Sequence, residues 1–218
     1  MLRQGDTLEM FKDRIVRQTE NPILSNMTSP VFFTLQELIS VRGHARVLDL
    51  GATQEGTLAM FAGLNCEIDS CNLFERLKDE ACQKHETDSA FINRLRRTCR
   101  ELISPPQEKG YDVVLCWDGF NYLSSPVFSF LSRYLVNFVH PDTMLHIYFH
   151  IHSQMPAIPG QFESTANSIQ VTYPNAGITT SPAYTQTDLN RFMPRYTVVR
   201  SVLLQSGLQE YLMKVGPL

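Results

Sequence analysis

Short apolar runs that alternate with helical segments constrain the fold of this chain more than any other feature. The clearest run is RVLDLGA at residues 46–52, and a second is YDVVLCWD at residues 111–118. Both are apolar and rich in β-forming residues, as expected of strands that are buried on both faces. Between them lie segments with helical spacing, and strands that alternate with helices favour a parallel sheet covered by helices on both faces. The sequence therefore predicts an α/β fold with a mostly parallel sheet.

The end of the chain departs from that alternation. Two β-rich runs, YTVVRSVLL at residues 196–204 and LQEYLMKV at residues 208–215, are separated by a Gln-Ser-Gly turn. They predict an antiparallel hairpin at one side of the sheet. We expect the strand at Val47–Leu50 to lie centrally, with the strand at Val113–Cys116 beside it.

The domain organisation predicted from these patterns is simple. We expect an N-terminal helical segment, residues 1–43, packed on one α/β domain of residues 44–218. Residues 74–102 are rich in Lys, Arg and Glu and predict mainly helix, with a strand near 91–95 as the alternative. Residues 154–183 are rich in Pro, Gly, Ser, Thr and Asn. The segment is long for a loop without secondary structure. It predicts a lid or substrate loop that contains a short strand at Ile169–Tyr173.

Composition and charge exclude several classes of protein. The chain of 218 residues has a net charge of −3 and a pI of about 6.1, whereas nucleic-acid-binding domains are usually basic. No run approaches the roughly 18 apolar residues that span a bilayer. The five cysteines form no CxxC pair, which favours reduced thiols in a cytoplasmic protein. We therefore expect neither a membrane nor a nucleic-acid partner.

Polar turns follow three of the predicted strands. In the first, Asp49 and Gly51 lie between a strand and the start of a helix, where free backbone N–H groups bind ligands. About twenty residues further on, Asp69 and Asn72 lie where nucleotide-binding folds place a ribose-binding acid. The third turn begins at Trp117, the only tryptophan, which can stack on a flat base. Each turn also has a purely structural interpretation. The first is then an ordinary strand-to-helix turn, the second a solvated Asp with a turn-forming Asn, and the third a place where aromatic residues pack in the core.

In this order and spacing, the three turns resemble those of class I S-adenosylmethionine-dependent methyltransferases. RVLDLGATQEG is similar to the glycine-rich first motif of that family, CEIDSCN to its ribose-binding segment, and YDVVLCWDGFNYL to the motif after its fourth strand. The resemblance implies a Rossmann-like sheet of seven strands that ends in an antiparallel hairpin. It also implies S-adenosylmethionine as cofactor, bound by Asp49, Gly51, Ala52, Thr53, Gly56, Asp69, Asn72 and Trp117.

The resemblance further implies transfer of a methyl group to a small-molecule acceptor. Asp118 is then expected near the methyl donor and Tyr122 against the substrate. Thr53 and Glu55 stand where the family has later glycines, and no acid is found to contact the adenine amine. A methyltransferase-like fold that serves as a binding module therefore remains the alternative. A dehydrogenase-like enzyme is a third hypothesis, which the C-terminal hairpin disfavours.

Two further clusters have structural and functional interpretations. Residues 146, 148, 150 and 152 alternate along one strand as His, Tyr, His and His, so they share a face. In the structural interpretation these side chains line a polar face or cleft. In the functional one, two of the histidines bind zinc together with a third ligand from elsewhere in the chain. Four arginines between residues 94 and 100 form a solvated helix face or an RNA contact. We expect no metal site.

Overall fold

A six-stranded sheet lies at the centre of the structure. The structure is a computed structural model and describes residues 23–80, 83, 85–103, 110–165, 168–174 and 177–216. The strands are β1 (Ile23–Met27), β2 (Ala45–Asp49), β3 (Cys66–Ser70), β4 (Tyr111–Trp117), β5 (Val139–His150), β6 (Gln154–Pro156), β7 (Gln161–Ser164), β8 (Ile169–Tyr173), β9 (Ile178–Thr180), β10 (Tyr196–Leu203) and β11 (Leu208–Val215). The α-helices are α1 (Pro30–Arg42), α2 (Glu55–Gly63), α3 (Leu73–Leu77), α4 (Asp88–Leu102), α5 (Ser125–Leu135) and α6 (Gln186–Phe192). Two 3-10 turns cover Gly119–Tyr122 and Val136–Phe138.

The strand order of the central sheet is β10-β11-β5-β4-β2-β3. Strands β2 to β5 run parallel to one another, β11 runs antiparallel to β5, and β10 runs antiparallel to β11. The prediction of a mostly parallel α/β sheet is confirmed. β2 pairs with β4 as expected, through Val47 and Val113, but it lies second from the edge rather than centrally.

The described residues contribute six strands to this sheet and not the seven that were predicted. The stretch after β3 forms the helices α3 and α4, so the alternative of a strand near residues 91–95 is wrong. Thr87 caps α4 by accepting a hydrogen bond from the Ala90 N–H. Phe91, Leu95 and Cys99 then bury one face of the helix at the i, i+4, i+8 spacing that a strand cannot present to a single core.

Helices cover both faces of the sheet because the strand residues alternate in direction. Val47, Val113 and Leu115 pack with α1 and α2 in one apolar cluster. Leu48 and Val114 pack with α3, α4, α5 and α6 in the other. The carboxyl ends of β2, β3 and β4 meet at one edge between these layers, which is where open α/β sheets bind ligands.

The described residues between 154 and 183 include four short strands, β6 to β9, rather than an open loop. β8 and β7 pair antiparallel with β1 in a second sheet of order β1-β8-β7, and β6 pairs with β9. The strand at Ile169–Tyr173 is as predicted. The helical interpretation of the N-terminal segment is wrong for Ile23–Met27, because this stretch is bounded by prolines and pairs its backbone with β8. The part of the predicted helical segment that precedes residue 23 lies outside the described residues.

Within the described ranges, no helix combines the length and apolar character that crossing a membrane requires.

Candidate functional site

Asp49 organises the turn that follows β2. Its side chain is fully buried and accepts hydrogen bonds from the Gly51 N–H at 2.9 Å, the Thr53 hydroxyl at 2.6 Å and the Trp117 indole N–H at 2.8 Å. Burial raises the pKa of the Asp49 carboxyl, and these three donors oppose that rise. Asp49 therefore orients the loop through donors of the protein itself.

Trp117 lies directly against Gly51. A Cβ atom added to Gly51 would come within 2.6 Å of Trp117 Cδ1. The indole is 3% exposed and stacks on Phe162, with ring centroids 5.1 Å apart and planes 6° apart. The backbone φ angle of Trp117 is 46°, in the left-handed region, which a bulky residue adopts only where its surroundings hold it. Trp117 is therefore fixed between the first turn and β7.

A cavity of about 230 Å³, which we call the Gly51 cavity, opens at the carboxyl ends of β2, β3 and β4. Its wall includes Gly51, Ala52, Asn72, Phe74, Trp117 and Asp118. Asn72 has a φ of 43°, a conformation that asparagine tolerates, and it precedes α3. The cavity thus brings together residues from all three predicted motifs.

Asp118 is the fully buried centre of a polar cluster. Both of its carboxylate oxygens accept from the Gly160 N–H at 3.2 Å, and its Oδ2 accepts from the Tyr122 hydroxyl at 3.4 Å. Burial, followed by the charge of Asp118, raises the pKa of Tyr122, so the phenol is neutral. His150 Nε2 lies 3.5 Å from Asp118 Oδ2 and has no hydrogen-bond partner among the described residues. The two predicted catalytic candidates, Asp118 and Tyr122, are therefore in direct contact.

A second cavity of about 550 Å³, which we call the Tyr122 cavity, lies beside the first. Tyr122, Ser124, Met155 and Thr180 contribute to its wall. Ile158 lines both cavities, and Gly160, two residues later, is the residue bonded to Asp118. Ile158 therefore belongs to a wall that the two cavities share, and Pro159 and Gly160 continue that wall on the side of the Gly51 cavity.

Four of the eight residues predicted to bind cofactor do not line the Gly51 cavity: Asp49, Thr53, Gly56 and Asp69. Asp69 accepts from the Tyr111 hydroxyl at 2.7 Å and pairs with Arg46 at 3.3 Å. Gly56, in the first turn of α2, donates its backbone N–H to Glu163 Oε1 at 2.9 Å. Neither lines the cavity. Sequence reasoning missed Glu163 because it lies 107 residues from Gly56 and no local motif connects them.

Glu163 supplies the cap that α2 otherwise lacks, because the Gln54 side chain at its N-cap makes no capping bond. We expect Glu163→Ala to lower the free energy of unfolding by about 1 kcal/mol, the usual cost of losing a helix cap. Glu163→Gln should lose less, since its amide oxygen still accepts. Urea unfolding measures both, with Gln161→Ala on the same strand as control. A Glu163→Ala variant that unfolds at the wild-type urea concentration contradicts this capping role.

His146, the first of the alternating histidines, does not line an open polar face, whereas His152 is exposed. His146 and Tyr148 are fully buried among aromatic rings, and His146 Nε2 lies 2.8 Å from the buried Glu210 carboxylate. Among the described residues, no group of three or more His, Cys, Asp or Glu side chains is placed to hold a metal ion. The basic run lies on α4, where Arg94 pairs with Glu86 at 2.9 Å and also with Glu80.

Comparison with known proteins gives only distant matches. No family model matches the sequence, and no curated protein does. A solved S-adenosylmethionine-dependent methyltransferase from Clostridium acetobutylicum is 11% identical, with a TM-score of 0.49 over 99% of this chain and 100% of that one. The CcbJ methyltransferase from Streptomyces caelestis is 11% identical, with a TM-score of 0.48 over 84% of this chain and 89% of that one.

A third solved structure is the 1,6-didemethyltoxoflavin-N1-methyltransferase of Burkholderia thailandensis with bound 1,6-didemethyltoxoflavin and S-adenosylhomocysteine. It is 12% identical, with a TM-score of 0.41 over 100% of this chain and 92% of that one. All three are methyltransferases by name, the class that the motifs resemble. At identities of 11% to 12% and TM-scores of 0.41 to 0.49, these similarities assign neither a family nor an activity to this chain.

Proposed function

We propose that this chain is a divergent class I methyltransferase that transfers a methyl group from S-adenosylmethionine to a small-molecule acceptor. The observation that carries the proposal is the Gly51 cavity, where the turns after β2, β3 and β4 converge as the resemblance implies. The strand order and the antiparallel pair β10 and β11 support it, because they match the arrangement expected of that class, with one strand fewer among the described residues.

The chemistry of the cavity wall fits this cofactor better than its volume does. A buried carboxylate, Asp118, and two aromatic rings, Trp117 and Phe74, suit a positively charged sulfonium next to a flat base. The volume of about 230 Å³ is below the roughly 300–1,000 Å³ of pockets that take drug-sized ligands. We infer that residues 158–160 move when the cofactor binds, since all three line this cavity and Ile158 also lines its larger neighbour.

The cofactor supplies a methyl group that the positive sulfonium charge makes transferable. The chain's own residues would hold it and align the acceptor, which is catalysis by proximity and orientation. Ala52 and Asn72, on the cavity wall, would contact the cofactor, and the charge of Asp118 would meet the sulfonium. Tyr122, on the wall of the second cavity, would contact the acceptor as a neutral phenol. Residues 158–160 would exclude water from the reacting groups.

Calorimetric titration of the full chain tests the proposal directly. We expect S-adenosylmethionine to bind at a single site, with NAD as the control ligand that does not bind. Transfer of a labelled methyl group to members of a small-molecule panel then tests catalysis. Absence of binding by both S-adenosylmethionine and S-adenosylhomocysteine would overturn the proposal.

A binding module without catalysis is the second candidate, and one observation favours it. Trp117 fills the space over Gly51, and the oxygens of Asp49 are bonded to donors of the protein itself. A cleft that its own side chains occupy has less room for a cofactor. Cofactor binding without methyl transfer to any acceptor would support this alternative.

A further inference from the structure

The Gly51 cavity has a buried negative charge on its wall and no positive one. Asp118 is fully buried, and none of the described lining residues is Lys, Arg or His. Glu75, the second acid on the wall, is exposed and pairs with Lys78 at 2.8 Å, so its charge is balanced. The electrostatic character of the cavity therefore depends on Asp118, whose field is little screened because water does not reach it.

The aromatic wall of the cavity also favours positive charge. Trp117 is held by its bond to Asp49 and its stack on Phe162. The Phe74 ring lies so close to Gly119 that a Cβ atom there would come within 2.1 Å of it. Aromatic faces attract sulfonium and quaternary ammonium groups through the ring quadrupole, most strongly where solvent is excluded. Two fixed aromatic residues and a buried acid thus line the same small cavity.

We propose that the Gly51 cavity selects for a positively charged ligand group, with Asp118 as the residue that determines this specificity. The chain then binds the sulfonium S-adenosylmethionine more tightly than S-adenosylhomocysteine, whose sulfur is a neutral thioether. This inference rests on the proposed function and extends it to the charge of the bound group. When the methyl group leaves, the sulfur keeps the bonding electron pair and becomes neutral, so the same preference promotes release of the product.

Neighbouring groups leave Asp118 as the charge that a ligand meets. The hydroxyls of Tyr122 and Tyr173 are neutral, since burial raises the pKa of each and the charge of Asp118 adds to it. His150 is the one base that the described residues place in an ion-pair contact with Asp118, at 3.5 Å. It does not line the cavity. His150→Gln replaces the imidazole with an uncharged amide and leaves the side chain of Asp118 in place, so it should retain the preference.

Affinities of three nucleosides test the proposal without any measurement of activity. S-adenosylmethionine and sinefungin, which carries an amine in place of the methylated sulfur, are cations at that position, and S-adenosylhomocysteine is not. We expect both cations to bind at least about tenfold more tightly than the thioether, as one buried charge warrants. Trp117 is the only tryptophan, so its fluorescence reports binding at this cavity alongside calorimetry.

Variants locate the origin of the preference. Asp118→Asn should bring the three affinities to within about twofold of one another, whereas Asp79→Asn, at the wall of the other cavity, should leave the preference intact. Thermal unfolding checks that Asp118→Asn folds. Glu75→Gln, an exposed change that leaves Lys78 unpaired beside the cavity, should reduce the preference even if Asp118→Asn does not fold.

A probe without the nucleoside separates this inference from the proposed function. Trimethylsulfonium should perturb Trp117 fluorescence at lower concentration than the neutral tert-butanol at matched ionic strength. If it does so while none of the nucleosides binds, the cation site stands and the methyltransferase proposal fails. If S-adenosylhomocysteine binds as tightly as S-adenosylmethionine, the inference is overturned and the methyltransferase proposal stands. If neither the nucleosides nor trimethylsulfonium bind, both are overturned.

Discussion

Replacing Glu210 with alanine is expected to lower the free energy of unfolding by about 3–5 kcal/mol, the cost of removing one partner from a buried charged pair. The Glu210 carboxylate is fully buried on β11 and contacts His146 at 2.8 Å. It also accepts from the N–H groups of Val31 at 3.2 Å and Phe32 at 2.9 Å, and from the Ser29 hydroxyl. The loss would leave the first turn of α1 and a buried imidazole without their acceptor.

Urea unfolding monitored by circular dichroism measures this loss. Glu67→Ala is the control, because Glu67 forms an exposed ion pair with Arg46 at 3.3 Å and should cost less than about 1 kcal/mol. Glu210→Gln, which retains one oxygen acceptor, should fall between the two. A loss below about 1 kcal/mol in Glu210→Ala would show that the network does not hold α1 on the sheet.

The pH dependence of the same comparison follows from the ionisation of Glu210. Burial alone would raise the pKa of this carboxyl, but hydrogen bonds from His146 and Ser29 and the charge of His146 lower it below its ordinary value of 4.5. Because the pKa of Glu210 is lower in the folded state than in the unfolded state, ionised Glu210 stabilises the folded protein at pH values above the ordinary pKa of 4.5. The difference in free energy of unfolding between the wild type and Glu210→Gln should therefore decrease as the pH falls below about 4.5, and it should continue to decrease as the pH passes the lowered pKa that Glu210 has in the folded state. A difference that does not change between pH 6 and pH 3, roughly the window of carboxyl titration, would contradict this account.

Gly51→Val is expected to abolish binding of S-adenosylmethionine, a loss of affinity of more than about a hundredfold or roughly 2.7 kcal/mol. The added side chain would meet Trp117 Cδ1 at 2.6 Å, and its Cβ would lie 3.4 Å from Asp49 Oδ1. Trp117 cannot withdraw easily because it stacks on Phe162. The valine would therefore displace the loop or the indole, and either change alters the wall of the Gly51 cavity.

The structure also changes the expected stability of this variant. The glycine has no unusual φ, and from the sequence alone one expects a valine there to cost little. The contact with Trp117 instead predicts a loss of about 1–3 kcal/mol, as is typical of overpacking. Gly63→Val is the control, because no atom lies within 4 Å of a Cβ at that position. Calorimetry and urea unfolding measure the two effects separately, and a folded Gly51→Val that binds like the wild type would remove the first turn from the site.

Some of the predicted functional residues lie at the Gly51 cavity and others do not, because the position of each side chain depends on contacts at different distances along the chain. Asn72, Trp117 and Asp118 were predicted from the rule that polar turns at the carboxyl ends of parallel strands converge, and they share one cavity. Asp69 was predicted by the same rule, but its side chain turns to Tyr111 and Arg46. Which face a strand residue occupies depends on register, and one position separates the two faces.

The network around Glu210 shows what local patterns could not reveal. The alternation at residues 146–152 predicted a shared face, and His146 and Tyr148 do share one. The sequence offered no sign that this face lies in the core, because the residues that bury it come from α1 and β11. The partner of His146 lies 64 residues away, and the partner of the Gly56 N–H lies 107 residues away.

What the sequence by itself determined is what periodicity and turn chemistry encode over short stretches: the buried strands β2 and β4, the glycine turn after Asp49, the short strand at Ile169–Tyr173, and the C-terminal runs separated by a Gln-Ser-Gly turn. Only the tertiary structure decided that Ile23–Met27 is a strand, that Glu163 caps α2, and that Trp117 lies on Gly51. Each of these depends on a contact between distant segments. Such contacts follow from strand order, register and packing of the whole domain, which the energies of local segments do not specify.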